Sequence, residues 1–278
     1  MSKVAVVTGS NKGIGFAIVK GLAKQYPGIV YLTARNEQLG KKAVKDLETQ
    51  GLKVAFHQLD IDNQESIDRF SNFIKERHQG LDLLVNNAAI AYKVADSTSF
   101  MEQAKNTMRI NFTGTLNLCS ALFPLLRPHA RVVNVSSRAG MLNIVKDAEF
   151  RNKLVSDNLS VDELVGLMAH FVELARLGKN ESISRSAYGM SKVGLTALTK
   201  IQQRQFDKDS RTDLVINAVC PGYVATDMSS HKGYLTPEQG AETPIYLSLL
   251  AENWTGPKGL LWAEKKVVDW ADLNWSWK

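Results

Sequence analysis

Six short aliphatic runs recur along the chain, and the spaces between them are filled mainly by longer amphipathic segments. The runs are "KVAVVT", "IVYLT", "KVAFHQL", "DLLVNN", "RVVNVSS" and "LVINAVC". Between them lie helix-like stretches such as Glu37–Gln50, "NQESIDRFSNFIKERHQ" and "QAKNTMRINFTGTLNLCSALFPLL". Strand–helix alternation of this kind predicts an α/β fold, a doubly wound parallel sheet with helices on both faces. A ligand would then sit at the carboxyl ends of the strands.

The rhythm breaks once, where about residues 141–183 delay the sixth strand. Within that insertion "LSVDELVGLMAHFVELARLGK" carries its own punctuation: Ser160 and Glu163 form a capping box, and Gly178 supplies a stop. Leu164, Leu167, Met168, Phe171 and Leu174 make one apolar stripe, which predicts an inserted helix packed on the main body. The remaining organisation reads as a single domain over residues 1–278, with a Trp-rich C-terminal tail from about residue 264.

With 278 residues, 44% of them hydrophobic and 22% charged, the chain can bury a large core. Its longest apolar runs fall far short of the roughly 20 residues that span a membrane. The opening "MSKVAVVTGSNKG" breaks into glycines too early for a signal peptide, and Cys119 and Cys220 are too few for a disulfide framework. A reducing, cytoplasmic setting is expected. The net charge of +6 is spread among interleaved acids, as in "KKAVKDLE", with no arginine-rich stripe. That argues against nucleic acid and suits a small anionic ligand. His57, His78, His129, His170 and His231 show no paired spacing and no neighbouring cysteine cluster, so no metal is expected.

"VAVVTGSNKGIGFAIVKGLAK" places Gly9, Gly13 and Gly15 between a strand and a helix. Phosphate approach needs residues without a Cβ and free N–H groups at a helix start. Where an NAD site would put an acid at the end of the second strand, this chain has Thr33-Ala34-Arg35. Arg35, with Lys12 inside the turn, favours NADP(H), whose 2′-phosphate an arginine accommodates.

The stretch "SRSAYGMSKVGLTALTK" reads as a helix and puts Tyr188 and Lys192 four residues apart on one face. No Asp or Glu lies between Ser184 and Lys200. An unpaired ammonium beside a phenol would favour phenolate and lower its pKa, which predicts an activated tyrosine.

Five motifs in order, "TGSNKGIG", "NNAA", "NVSS", "YGMSK" and "CPGYVATDM", resemble those of the short-chain dehydrogenase/reductases. More narrowly, "FHQLDID", "LVNNAAIAYK", "DELVGLMAHFVE" and "EKKVVDW" resemble the monomeric NADPH-dependent carbonyl reductases, over roughly residues 3–270. The resemblance implies one Rossmann-type domain and the reduction of ketones, aldehydes or quinones to alcohols. By this resemblance Tyr188 is the general acid, Lys192 its partner, Ser137 the holder of the substrate carbonyl, and Asn111 the completion of a proton relay. Gly9, Asn11, Lys12, Gly13, Ile14 and Gly15 would cradle the cofactor's pyrophosphate, with Arg35 beside the 2′-phosphate. Asp60 and Ile61 would flank adenine, Asn87, Ala88 and Ala89 would line the adenosine side, and Pro221, Gly222, Val224 and Thr226 would close over the nicotinamide. Tyr92, Lys93, Val94 and Gln103 fall where some such reductases hold glutathione conjugates. The insertion would cover a surface used elsewhere for oligomer contacts, which implies a monomer. Two other readings stay open: a dedicated reductase of one terpenoid, alkaloid or prostaglandin-type ketone, and a non-catalytic NADPH sensor.

Overall fold

The computed structural model describes residues 2–93 and 95–274. The six runs are strands: β1 (Lys3–Val7), β2 (Gly28–Ala34), β3 (Ala55–Gln58), β4 (Leu81–Asn86), β5 (Leu126–Val135) and β6 (Val215–Val219). Two further strands, β7 (Leu261–Ala263) and β8 (Lys266–Val268), complete one sheet in the order β3-β2-β1-β4-β5-β6-β7-β8. Only β8 runs antiparallel to its neighbour. At three residues each, β7 and β8 are too short to show a hydrophobic period, so sequence pattern does not reveal them.

The helices are α1 (Gly13–Ala23), α2 (Glu37–Glu48), α3 (Gln64–His78), α4 (Phe100–Thr107), α5 (Thr115–Leu122), α6 (Ala148–Val155), α7 (Val161–Arg176), α8 (Ala187–Phe206) and α9 (Pro237–Ser248). Alternate residues of β1 feed the two faces of the sheet, because successive strand side chains point opposite ways. Ala5 and Val7 pack with Ile18, Leu22 and Leu47 of α1 and α2. Val4 and Val6 pack with Phe70, Ile74, Leu118 and Leu122 of α3 and α5. Full burial of such side chains contributes about 1.5–3 kcal/mol each, which fixes both layers against the sheet.

The helix-like stretch from Gln103 to Leu126 is not one helix: α4, a π-helical turn, α5 and a 3-10 turn over Phe123–Leu125 share it. Between α4 and α5 the chain widens into a π-helical turn over Met108–Gly114. Such turns re-aim side chains within a helix, and this one carries Asn111. The insertion matches its expected start: Ser160 and Glu163 cap α7 reciprocally, and Gly178 follows with φ +69°. Leu164, Met168 and Phe171 are buried against Met190 and Val193 of α8 and Ala104 of α4, while Leu167 and Leu174 are only partly covered. The insertion also holds α6, capped by Asp147 accepting from the Phe150 N–H at 2.7 Å. Of the Trp-rich tail, Trp270 is buried; Trp275 and Trp277 lie outside the described residues.

The strand order reverses between β1 and β4, which opens a crevice at the carboxyl ends of those strands. Among the described residues no helix is long and apolar enough to cross a membrane.

Candidate active site

The crevice floor is the turn from β1 into α1. Gly9 has φ +58° and Gly13 +59°, a region that non-glycine residues enter only at a cost. A Cβ on Gly9 would stand 2.8 Å from the Ala88 Cα, so the turn presses directly on the end of β4. The Thr8 hydroxyl locks that contact by accepting from the N–H groups of Asn87 and Ala88, both at 2.9 Å. Asn87 Nδ2 donates to the carbonyls of Thr8 and Gly9 at 2.9 and 3.1 Å. The motifs around Gly9 to Gly15 and Asn87 to Ala89 therefore form one cradle.

At its mouth, Lys12 precedes α1 with no side-chain cap, and the first turn of the helix contains no acid. The free N–H groups and the dipole of that helix suit a pyrophosphate. Arg35 is exposed just beyond β2, and its backbone carbonyl accepts from Gln58 Nε2 at 3.2 Å. Lys12 has a contact that the sequence did not suggest. It pairs with Asp227 at 2.6 Å, and Asp227 also meets His231 Nε2 at 3.0 Å. Lys12 holds the Asp227 carboxyl below its ordinary range, mostly through that hydrogen bond. The glycine turn is thereby tied to the loop after β6, where Thr226 Cγ2 would be 3.4 Å from a Cβ on Gly13.

Other cofactor-side residues take structural parts as well. The Asp60 N–H donates to Ser66 Oγ at 3.0 Å, and its carboxylate accepts from the Asp62 N–H at 3.1 Å. Ile61 is 6% exposed. Val224 is buried and bridges Leu235, while Pro221, Gly222 and Thr226 remain part-exposed along the same loop.

The catalytic candidates come together from β5, α8 and the π-helical turn. Ser137 lies just past β5 and caps a tight turn over Arg138–Gly140, its Oγ accepting from the Ala139 N–H at 3.1 Å. That turn fits against α8 only because two glycines face it. A Cβ on Gly140 would lie 2.6 Å from the Lys192 Cβ, and one on Gly189 the same distance from the Ala139 carbonyl. Trp270 closes the turn from the other side, donating through Nε1 to the Gly140 carbonyl at 2.7 Å. Its own carbonyl accepts from the Leu142 N–H at 3.3 Å. These hydrogen bonds join the Trp-rich tail to the Ser137 turn.

Tyr188 is in the first turn of α8, which Ser186 caps through the Gly189 N–H. Lys192 is 3% exposed, and its Nζ donates to the Val135 carbonyl at 2.7 Å. The ammonium lies 5.7 Å from the Tyr188 ring centre. No ion pair involves Lys192 among the described residues, in keeping with the absence of acids around it in sequence. One expectation needs correction. Burial raises the Tyr188 phenol to about 12, and the smaller opposing pull comes from the Ser137 hydroxyl rather than from Lys192. Burial also lowers Lys192 to about 8. Desolvation disfavours both charged forms and is the largest influence on each. The tyrosine keeps its proton, as a proton donor must.

Asn111 is 1% exposed and its amide is fully engaged. It accepts from the Ile90 N–H at 2.8 Å, and donates to the Ile90 carbonyl at 2.9 Å and to Ser191 Oγ at 3.0 Å. Its side chain thus fastens the loop after β4 to α8, one residue from Lys192. Neither Ser191 nor Thr8 was singled out from sequence, because a serine in a helix or a threonine at a strand end carries no chemical signature alone.

The substrate candidates near residue 92 are less convergent. Tyr92 Oη accepts from Asn106 Nδ2 at 2.8 Å, and Gln103 Nε2, on α4, donates at 2.9 Å to the Thr98 carbonyl just ahead of that helix. Lys93 is exposed, and Val94 lies outside the described residues. Cys220 is buried and its sulfur accepts from the N–H groups of Arg138 and Gly222 at 3.1 and 3.5 Å. Burial pushes its thiol above the ordinary value, which favours an inert cysteine.

Comparison with known proteins follows the same lines. The family model for the short chain dehydrogenase matches residues 3–148 and 175–234. Carbonyl reductase (NADPH) 1 of Rattus norvegicus is 47% identical over 96% of this chain and 98% of its own length. The Homo sapiens protein of the same name is 46% identical over the same shares. Among solved structures, salutaridine reductase from Papaver somniferum is similar with a TM-score of 0.85 and 29% identity, covering 94% of this chain and 99% of that one. Menthone neomenthol reductase from Mentha piperita gives 0.80 and 28%, covering 95% and 99%.

Proposed function

The chain belongs to the short-chain dehydrogenase family, and on that premise we propose that it is an NADPH-dependent carbonyl reductase converting ketones, aldehydes and quinones to alcohols. The observation that carries this reading is the meeting of Ser137, Tyr188 and Lys192 beside the glycine cradle. Near-half identity to carbonyl reductases along the whole chain supports it.

The residues fit the cofactor. The cradle presses too tightly on Ala88 for a Cβ at Gly9, the α1 terminus is uncapped, and Arg35 offers a cation where an NAD site would offer an acid. Gly9 to Gly15 would hold the pyrophosphate, Arg35 the 2′-phosphate, Asp60 and Ile61 the adenine side, and Pro221 to Thr226 the nicotinamide side. NADPH, when bound, supplies the hydride. The chain supplies the rest. Ser137 Oγ donates to the substrate oxygen and shares its developing charge, a role that typically contributes about 2.7–4 kcal/mol. Tyr188 passes its proton to that oxygen. Lys192, held by the Val135 carbonyl, keeps a positive charge close by and can donate to ribose hydroxyls. Asn111 sets the distance between α8 and the loop at Ile90, and its place in a proton relay rests on the family resemblance.

Cofactor choice gives a direct test. Replacing Lys12 and Arg35 together by glutamine is expected to raise the NADPH KM at least about tenfold, the scale of one lost charge-assisted contact. The NADH KM should move far less, and equal changes would overturn the NADPH assignment. Because Lys12 is already paired with Asp227, Arg35 is expected to carry most of the effect.

The substrate range is tested by following NADPH consumption with menadione, isatin and an aliphatic aldehyde. Turnover of several unrelated carbonyls supports the broad reading. A dedicated ketone reductase is the second reading, favoured by the structural likeness to the salutaridine and menthone reductases; turnover of one ketone alone would select it. A sensor without turnover has less support, since Ser137, Tyr188 and Lys192 are all in place. Tyr92, Lys93, Val94 and Gln103 remain candidates for glutathione-conjugate contacts, which competition by such a conjugate would test.

We take residues 1–278 as one catalytic domain and the working form as a monomer, because α7 covers faces of α4 and α8. Sedimentation as a tetramer would contradict the monomer. A cytoplasmic location rests on two free, buried thiols, and cell fractionation tests it.

A further inference from the structure

We propose that Arg138, stacked on Tyr223, forms an anion-binding rim on the carbonyl site, so that preferred substrates carry a carboxylate on a planar or apolar body. This inference rests on the reductase reading and narrows its substrate class. Arg138 directly follows Ser137, and adjacent α-carbons are about 3.8 Å apart. A carbonyl held by Ser137 and an anion held by Arg138 can therefore belong to one small molecule.

The surroundings fix where that rim lies. The Arg138 N–H and the Gly222 N–H both donate to the Cys220 sulfur, so the Ser137 turn and the loop carrying Tyr223 hang on one buried atom. That sulfur is near enough to Tyr188 to act on its phenol. The Arg138 guanidinium carbon sits 5.0 Å from the Tyr223 ring centre. Tyr223 in turn meets the Tyr234 ring edge-on, at 6.1 Å and 65°. Tyr234 is 68% exposed, which places this aromatic pair at the mouth of the site rather than in its core.

The charge on Arg138 is available. Arg109, Arg131 and Arg211 each have a carboxylate partner, in Asp62, Asp213 and Asp209. Arg138 has none among the described residues, and Glu264, which also acts on Cys220, forms no ion pair with it. Stacking on a ring occupies the face of a guanidinium and leaves its N–H edge free to grip a carboxylate in two-point fashion. The ring also holds that edge in place before binding, which a lysine could not reproduce. Tyr223 and Tyr234 would flank the substrate body.

The test compares para-carboxybenzaldehyde with its methyl ester in the NADPH-loaded enzyme, across wild type, Arg138→Gln and Arg138→Lys. Wild type is expected to favour the acid in kcat/KM by about tenfold, the worth of a charge-assisted contact. Arg138→Gln should bring the ratio near one, Arg138→Lys should recover only part of it, and added salt should shrink the wild-type preference. Calorimetry supplies a readout apart from turnover: para-carboxybenzyl alcohol should bind the NADP+ complex about tenfold more weakly in Arg138→Gln. A wild-type ratio near one, or a ratio untouched by Arg138→Gln, overturns the anion rim alone. Failure of wild type to reduce either aldehyde while it turns over menadione or another ketone also overturns the anion rim; failure with every carbonyl overturns the reductase reading, and this one with it.

Discussion

Replacing Tyr188 by phenylalanine is expected to lower kcat by about 10²–10⁴-fold, the usual contribution of a general acid, while NADPH still binds. The substitution removes one hydroxyl from the first turn of α8 and leaves the ring to pack as before. Ser137 would still hold the carbonyl oxygen, and Lys192 would still hang from the Val135 carbonyl. What disappears is the proton. Because burial holds that phenol at about 12, it is protonated at every ordinary working pH and should leave no ionisation of its own in the rate profile. Lys192 should leave one. A lysine lowered to about 8 is charged below that value and neutral above it. In the free enzyme, kcat/KM for NADPH is therefore expected to fall as pH rises through about 8. Retention of more than a few per cent of kcat in Tyr188→Phe would count decisively against Tyr188 as the acid. A flat profile through that pH would count against a Lys192 that loses its charge near 8.

Gly9→Ala should abolish cofactor binding more completely than any charge substitution. Two costs fall on the same atom. The backbone at φ +58° disfavours any residue with a Cβ, by about 1–2 kcal/mol. The new methyl would also stand 2.8 Å from the Ala88 Cα, a backbone atom that Thr8 pins by accepting from the N–H groups of Asn87 and Ala88. Relief requires the turn to lift from β4, which would spoil the phosphate cradle. The expected result is an NADPH dissociation constant raised about 100-fold or more, equivalent to about 2.7 kcal/mol, with a lower melting temperature. Fluorescence titration of NADPH reads the first and thermal unfolding the second. Near-normal NADPH affinity in a folded Gly9→Ala variant would mean that the phosphates lie elsewhere.

Much of this is legible in the sequence. The glycine turn, the strand rhythm and the Tyr188–Lys192 spacing are local signals, set by neighbours in sequence, and each appears where pattern places it. The capping box of α7 is of the same kind: Ser160 and Glu163 satisfy each other across three residues. What escaped the sequence depends on distance through space. Trp270 reaches the Gly140 carbonyl 130 residues away. Lys12 finds Asp227 across the crevice. No residue type announces the π-helical turn at Asn111. The largest departure is electrostatic. The absence of a carboxylate near Lys192 is visible in sequence, but the state of Tyr188 is not, because sequence shows charges and conceals desolvation.

The central claim is that this site delivers a hydride to a carbonyl carbon and a proton from Tyr188 to its oxygen. The measurement closest to it uses NADPH deuterated at the transferable nicotinamide position, incubated with a turned-over ketone and followed by mass spectrometry of the alcohol. The predicted product from wild type carries one deuterium on the carbinol carbon, and Tyr188→Phe yields almost none in the same time. An alcohol without deuterium, or equal labelled product from both proteins, would contradict it.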